Sequence, residues 1–345
     1  MMRWSWPIRA AGRHTPCGLL AACGAFLCAL LAGCGPTSFL ITPMPASQNL
    51  CENVLVREGP WARDRIALVE VDGLLQNARP NSLMGIPGEN PVSLFKEKLD
   101  RAAADSRVRG VVVRINSPGG GVTASDMMYT ELKQFRERTG KPVVACLLDV
   151  AASGGYYIAC AADRIYAHPT SVTGSIGVIM FAPEFSGTMD KLGIRANVIK
   201  SGALKDAGSL FREMEPADRE VFERIVAQMY NRFVSVVAAA RPELDETQVR
   251  KLADGRVYLG QEAQALGLVD ETGTLDDAIR AVRVAAGLGD RRIVVVEYAR
   301  PLAHRPNVYA RTDTPPAQVN LINVELPGWL GQVSPGFMYL WAPGW

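Results

Sequence analysis

Two apolar rhythms alternate along the chain. Short runs rich in Val, Ile and Leu read as strands: RIALVEVDGLL (Arg65–Leu75), RVRGVVVRINSPGGG (Arg107–Gly121), KPVVACLLDV (Lys141–Val150), DRIYAHP (Asp163–Pro169) and RRIVVVEY (Arg291–Tyr298). Between them, apolar residues three or four apart predict helices over Val92–Asp105, Val122–Gly140, Gly154–Ala162 and Pro216–Arg241. Gly140 is a stop signal and Pro216 a start signal. A shorter helical piece is expected at Thr188–Ile194. Further helices around one short strand fill Asp245–Asp270 and Thr274–Gly289. Thr173–Met180 (TGSIGVIM) reads as a turn entering a strand, and Arg195–Gly202 (RANVIKSG) as another strand. Strands alternating with helices predict an α/β fold with mostly parallel pairing.

The ends of the chain break this rhythm. Residues 1–16 carry Arg3, Arg9 and Arg13 without an acid, and an uncharged apolar run from Cys17 to Gly33 follows. The run ends in Leu31-Ala32-Gly33-Cys34, so residues 1–33 read as a signal peptide with Cys34 just after the cut. The alternative is a retained membrane helix, although the apolar run is short against the roughly 20 residues that span a bilayer. Residues 34–63 are Pro-rich and polar and read as a tether. From residue 299 the chain reads as a Pro-rich tail with late aromatics, Phe337, Tyr339, Trp341 and Trp345. The Gly/Pro-rich loop Asn77–Pro91 is long enough for a lid or an oligomer contact.

Composition narrows the function classes. At 48% hydrophobic and 21% charged over 345 residues, the chain has the makings of a sizeable core. The net charge of +2 owes its sign to the three leader arginines, so a nucleic-acid partner is not expected. Beyond the leader and Cys34 remain Cys51, Cys146 and Cys160, an odd set without metal-ligand spacing. No metal and no cofactor are expected.

The candidate chemistry sits where the strand Lys141–Val150 runs into Ser153-Gly154-Gly155. A serine at the mouth of a helix, followed by bare N–H groups, suits a nucleophile with half an oxyanion hole. A second donor can come from INSPGGG, and Gly154 with Gly120 is the candidate pair. A serine hydroxyl needs a base at neutral pH. The histidines are His14, His168 and His304; only His168 lies in the body, and no acid is spaced to orient it. The other base is a lysine made neutral by desolvation. VIKSGALKDAG offers Lys200 and Lys205, the latter beside Asp206, whose carboxylate would hold a facing ammonium charged. Ser175 in TGSIG is placed to hold a lysine amine.

Together INSPGGG, DVAASGGYYIACAADRIYAHPTSVTGSIGVI and SGALKDAG resemble, in order and spacing, the signal peptide peptidase A (SppA) family of Ser-Lys peptidases. LAGC likewise resembles a bacterial lipoprotein lipobox, which makes Cys34 the lipidation candidate. The family resemblance spans residues 64–298 and implies the Clp-protease/crotonase fold of repeated strand-strand-helix units. It implies Ser153 as nucleophile, Lys205 as general base and Ser175 as the residue that bonds the base. Where the family usually continues into SPF, this chain has Ser209-Leu210-Phe211. The substrates implied are signal peptides or other unfolded segments, cleaved in the bacterial cell envelope outside the cytoplasm by an enzyme held to the membrane by its N-terminal lipid or helix. Longer members carry two such domains with lysine and serine in different halves, which implies a homo-oligomer with shared sites for this single-length chain. Two rivals share the fold: a crotonase-like acyl-coenzyme A enzyme and a catalytically inactive scaffold.

Overall fold

The computed structural model describes residues 49–78, 89–300 and 336–342. Leader, lipobox and most of the loop Asn77–Pro91 lie outside them. The expected central strands form as β2 (Asp64–Leu75), β3 (Val108–Gly121), β4 (Val143–Ala152), β5 (Arg164–Ala167) and β10 (Ile293–Ala299). With β1 (Cys51–Arg57) and β9 (Glu271–Thr272) they lie in the order β1-β10-β2-β3-β4-β5-β9, parallel throughout except for β1 at the edge. The alternate residues of each strand face different helical layers. Val111, Val113, Val143, Ala145 and Leu147 pack on α1 (Pro91–Ala104), α2 (Val122–Thr139), α3 (Gly154–Ala159) and α5 (Pro216–Ala240). Val112, Val144 and Cys146 pack with Ile66 and Leu68 against α8 (Leu275–Ala285). Completing the helices are α4 (Ser186–Lys191), α6 (Glu246–Leu252) and α7 (Gly260–Ala265).

The helices begin and end where local chemistry dictates. Asn90 caps α1 by accepting from the N–H groups of Val92 and Ser93 at 3.0 and 3.2 Å, with Pro91 in the first turn. Gly140 ends α2 with φ +62°, a left-handed conformation that suits glycine. Glu215 and Asp218 form a capping box on α5, Thr274 and Asp277 one on α8.

Near the carboxyl ends of the strands the sheet divides. β4 pairs β5 along Val144–Leu147 and then β6 (Val172–Gly174) along Val150–Ala152. β6 in turn pairs antiparallel with β8 (Val257–Leu259). β11 (Gly336–Leu340) runs antiparallel to both the end of β3 and β7 (Ile179–Phe181).

Three local expectations change. Cys51–Arg57, inside the expected tether, is a strand paired to β10. Gly336–Leu340, inside the expected tail, is a strand of the sheet, and Tyr339 is fully buried. Arg195–Gly202, expected as a strand, is unpaired coil with Val198 and Ile199 exposed. Each depends on a partner distant in sequence: β1 and β11 find one, and Arg195–Gly202 finds none among the described residues.

Candidate active site

Strand β4 delivers Ser153 to the carboxyl edge of the sheet in a strained conformation. Its φ is +51° and ψ −114°, immediately before the first turn of α3. Among the described residues only Ser153 and Ser175 (φ +49°) combine a side chain with positive φ. Such conformations cost about 1–3 kcal/mol each and persist only where the surroundings enforce them. Here the Ser153 N–H donates to the Gly174 carbonyl at 2.7 Å, and its carbonyl accepts from Tyr157 N–H at 2.8 Å. The Ser175 N–H donates to the Arg256 carbonyl at 2.8 Å. Because Ala152 pairs with Gly174, the two serines follow one another's level at the ends of neighbouring parallel strands.

Close backbone packing explains the glycines. A Cβ on Gly154 would collide with Ser125 Oγ, and one on Gly119 would stand 2.7 Å from Gly154 N. Gly119 has φ +100°, and its N–H donates to Ser117 Oγ at 3.1 Å while that hydroxyl donates to the Gly73 carbonyl at 2.6 Å. The loop of β3 is thereby clamped against the start of α3 with Gly119 on Gly154, while the next residue, Gly120, pairs with Leu75 of β2. On the far side β11 pairs Tyr339 with Gly120. The Tyr339 ring stacks on Tyr157 at 5.1 Å and meets Phe233 at 4.6 Å, and its hydroxyl donates to the Met229 carbonyl at 2.8 Å. This aromatic wall is absent from the expected site. The alternation Phe337, Tyr339, Trp341 is its sequence signal, a strand period inside an apparent tail.

Ser153 Oγ is buried and has no hydrogen-bond partner among the described residues. A buried hydroxyl left unpaired costs about 1–3 kcal/mol. Its expected partner is elsewhere. Lys205 sits exposed in a single 3₁₀ turn, Ala203–Asp206; its N–H donates to the Gly202 carbonyl at 3.1 Å, while its amine has no hydrogen bond or ion pair among the described residues. Lys200, the other candidate, donates from Nζ to Asp206 Oδ1 at 2.7 Å and to the Ala203 carbonyl at 2.9 Å. Arg212 grips the same Asp206 carboxylate through Nε at 3.2 Å and Nη2 at 2.9 Å. These bonds, Arg212's first, hold the Asp206 carboxyl well below the ordinary range. Asp206 is thus engaged by two other cations.

His168 belongs to other surroundings. It lies on the α8 side, lining a cavity of about 430 Å³ with Glu70, Arg114 and Thr274, and its Nδ1 is 2.8 Å from Thr170 Oγ1. Burial pushes the thiols of Cys146 and Cys160 up to about 12, which leaves both unreactive at neutral pH. No group of His, Cys, Asp and Glu among the described residues could hold a metal ion.

Residues 135–289 match the family described as Peptidase family S49, a span that includes Ser153, Ser175 and Lys205. "Putative protease slr0021" of Synechocystis is 36% identical over 245 residues, covering 70% of this chain and 83% of that protein. "Putative signal peptide peptidase SppA" of Enterococcus faecium is 36% identical over 252 residues, covering 73% and 71%. The chain belongs to peptidase family S49. It is a serine peptidase related to SppA, as the motifs lead one to expect, and its mixed α/β architecture is the Clp-protease/crotonase-like fold of that family. The acyl-coenzyme A alternative falls with that assignment. "Protease 4" of Haemophilus influenzae is 33% identical over 63% of this chain, which spans 34% of that longer protein.

Proposed function

We propose that the protein is a membrane-anchored endopeptidase whose Ser153 and Lys205 come together from different copies of the chain. One observation carries this reading: among the described residues the Ser153 hydroxyl is buried without a partner while the Lys205 amine is exposed without one. A second copy that brings its 3₁₀ turn to the serine, displacing what covers Ser153 Oγ, gives each a partner. The apolar residues around that turn support it, since Leu192, Ile194, Val198, Ile199 and Phe211 are more than half exposed within a short stretch. Head-to-tail contacts of this kind close into a ring when the rotation permits.

In the assembled site the Lys205 amine, desolvated by the contact, takes the proton from Ser153 Oγ as the oxygen attacks a peptide carbonyl. The hydroxyl of Ser175, at the end of the neighbouring strand, holds the amine in line. The N–H groups of Gly154 and Gly120 receive the developing oxyanion. Lys205 then protonates the leaving amine, and water hydrolyses the ester on Ser153. The relative named a signal peptide peptidase supports signal peptides or other unfolded segments as substrates. Lipidation at Cys34, or retention of the apolar leader, would hold the enzyme at the bacterial membrane with its catalytic domain outside the cytoplasm. Among the described residues no helix is long and apolar enough to cross a membrane.

The test is covalent labelling of the full chain with a serine-directed acylating probe. The expected result is one label on Ser153, lost in Lys205→Ala and retained in His168→Ala. Undiminished labelling of Lys205→Ala would contradict the role of the lysine.

A further inference from the structure

Residues 182–215 leave the body of the protein with few packing contacts of their own. Most of their side chains are exposed, and the only regular pieces are α4 and the turn Ala203–Asp206. A base presented on such a segment needs something to fix it, because an error of about 1 Å in a reacting group costs on the order of 100-fold in rate.

A chain of charges does this. Asp218, in the first turn of α5, is buried, and its Oδ2 accepts from Arg212 Nη1 at 2.5 Å and from the Glu215 N–H at 3.2 Å. The rest of the Arg212 fork reaches back to the turn, to both oxygens of the Asp206 carboxylate and, at 3.3 Å, to the Asp206 carbonyl. Lys200 closes the network from the other side, on Asp206 Oδ1 and the Ala203 carbonyl. The turn carrying Lys205 is therefore tied at both ends to one carboxylate, and that carboxylate is tied through one guanidinium to the rigid start of α5. Exposed ion pairs contribute only about 0–1 kcal/mol. This one differs, because its anchor Asp218 is 1% exposed and the Arg212 fork matches the Asp206 carboxylate with two bonds.

We propose that Arg212, anchored on Asp218, is a positioning residue for Lys205: it fixes the turn and keeps the Asp206 carboxylate engaged, so that the neighbouring amine is free to act as a base. The inference rests on the reading of Lys205 as the proton acceptor. It assigns a purpose to an acid placed directly after a catalytic lysine, an arrangement that would otherwise hold the lysine charged. The charged groups around the turn are Lys200, Asp206, Arg212 and Asp218, with Glu215 3.9 Å from Arg212, whose Nη1 also donates to the Glu213 carbonyl at 3.0 Å. Deleting Arg212 leaves an excess of negative charge near Lys205, and deleting the charge of Asp206 leaves an excess of positive charge. The two changes push the lysine in opposite directions.

The experiment compares Arg212→Met, Arg212→Lys, Asp206→Asn and Lys205→Ala in the full chain, with Arg219→Ala on the exposed side of α5 as control. It measures kcat and KM separately on a peptide, the pH dependence of kcat/KM, and thermal melting. Arg212→Met is expected to lower kcat about 100-fold with KM changed less than about threefold. Arg212→Lys should recover part of that loss, since an ammonium supplies the charge but not the two-pronged fork. The rising limb of kcat/KM against pH should move to higher pH in Arg212→Met and to lower pH in Asp206→Asn. A merely structural role moves melting and leaves the two limbs together. Wild-type kcat and an unmoved limb in both variants, with Lys205→Ala inactive, would overturn the positioning role alone. A fully active Lys205→Ala would remove the proton acceptor itself and the proposal with it.

Discussion

The end of β4 and the segment carrying Lys205 are built on opposite principles. Around Ser153 the backbone groups named above are bonded, neighbouring side chains such as Tyr156, Tyr157 and Ile176 are fully buried, and the strain of a positive φ is held by the core. Around Lys205 there is almost no core, and order comes from a few charge-assisted hydrogen bonds on Asp206. On the proposed reading, the fold alone preorganises the nucleophile and its oxyanion donors. It leaves Lys205, the proposed base, on a segment whose apolar side chains are largely exposed, as on a surface made for another molecule.

The comparison breaks most visibly at the nucleophile. Ser153→Ala should reduce peptide hydrolysis to background, about as completely as Lys205→Ala, because groups acting as a unit lose non-additively. His168→Ala should retain most of the activity. Equal damage from His168→Ala in a steady-state assay would transfer the base to the other face of the sheet.

The exposed segment offers the next effect. Ile199 is completely exposed and Leu192 two-thirds exposed, so Leu192→Glu with Ile199→Asp should leave melting within about 0.5 kcal/mol of wild type, as surface changes do. The same double variant should lower the oligomeric mass seen by light scattering and reduce activity at least about tenfold, the loss expected when about 1.4 kcal/mol of contact is removed. Unchanged mass and activity would make the apolar stretch irrelevant to assembly.

Tyr339 sharpens the rigid side. Truncating a buried aromatic costs about 3–5 kcal/mol, and Tyr339 also loses its bond to the Met229 carbonyl. Tyr339→Ala should therefore lower the stability of the whole domain in denaturant titration. A change below about 1 kcal/mol would mean that β11 is an appendage. The smallest effect is on the charged side. Asp206 and Asp218 both have depressed carboxyl values, Arg212 being the first cause of each. A depressed carboxylate contributes stability that is present above its unfolded value, about 3.9, and is lost only as pH falls through the folded one. Hydrogen-exchange protection of the turn Ala203–Asp206, corrected for intrinsic rates, should hold from pH 7 to about 5. Loss of protection in that range would show that the network is not formed.

Much of the rigid half is legible in the chain itself. The central strands are short apolar runs, the helices carry their own caps at Asn90, Gly140 and Thr274, and Ser153-Gly154-Gly155 marks a strand-to-helix turn in residue types alone. What escapes is non-local. Cys51–Arg57 becomes a strand because β10 offers an edge more than 200 residues later. Gly336–Leu340 does so because the end of β3 and β7 leave a slot between them. Arg195–Gly202 has a strand's composition but no partner among the described residues, so its pattern is visible and its outcome is not. Asp206 shows the same limit at one residue: its carboxylate looks like a threat to Lys205 until Arg212 and Lys200 are seen to hold it.

The most direct test of the proposed shared site mixes two inactive proteins. Ser153→Ala and Lys205→Ala chains are dissociated, combined, reassembled and assayed, with subunit exchange verified by mass. The account predicts that activity returns, because a contact between unlike copies restores an intact serine facing an intact lysine. Proven exchange without any recovery would place both residues of each working site in one chain and contradict the account.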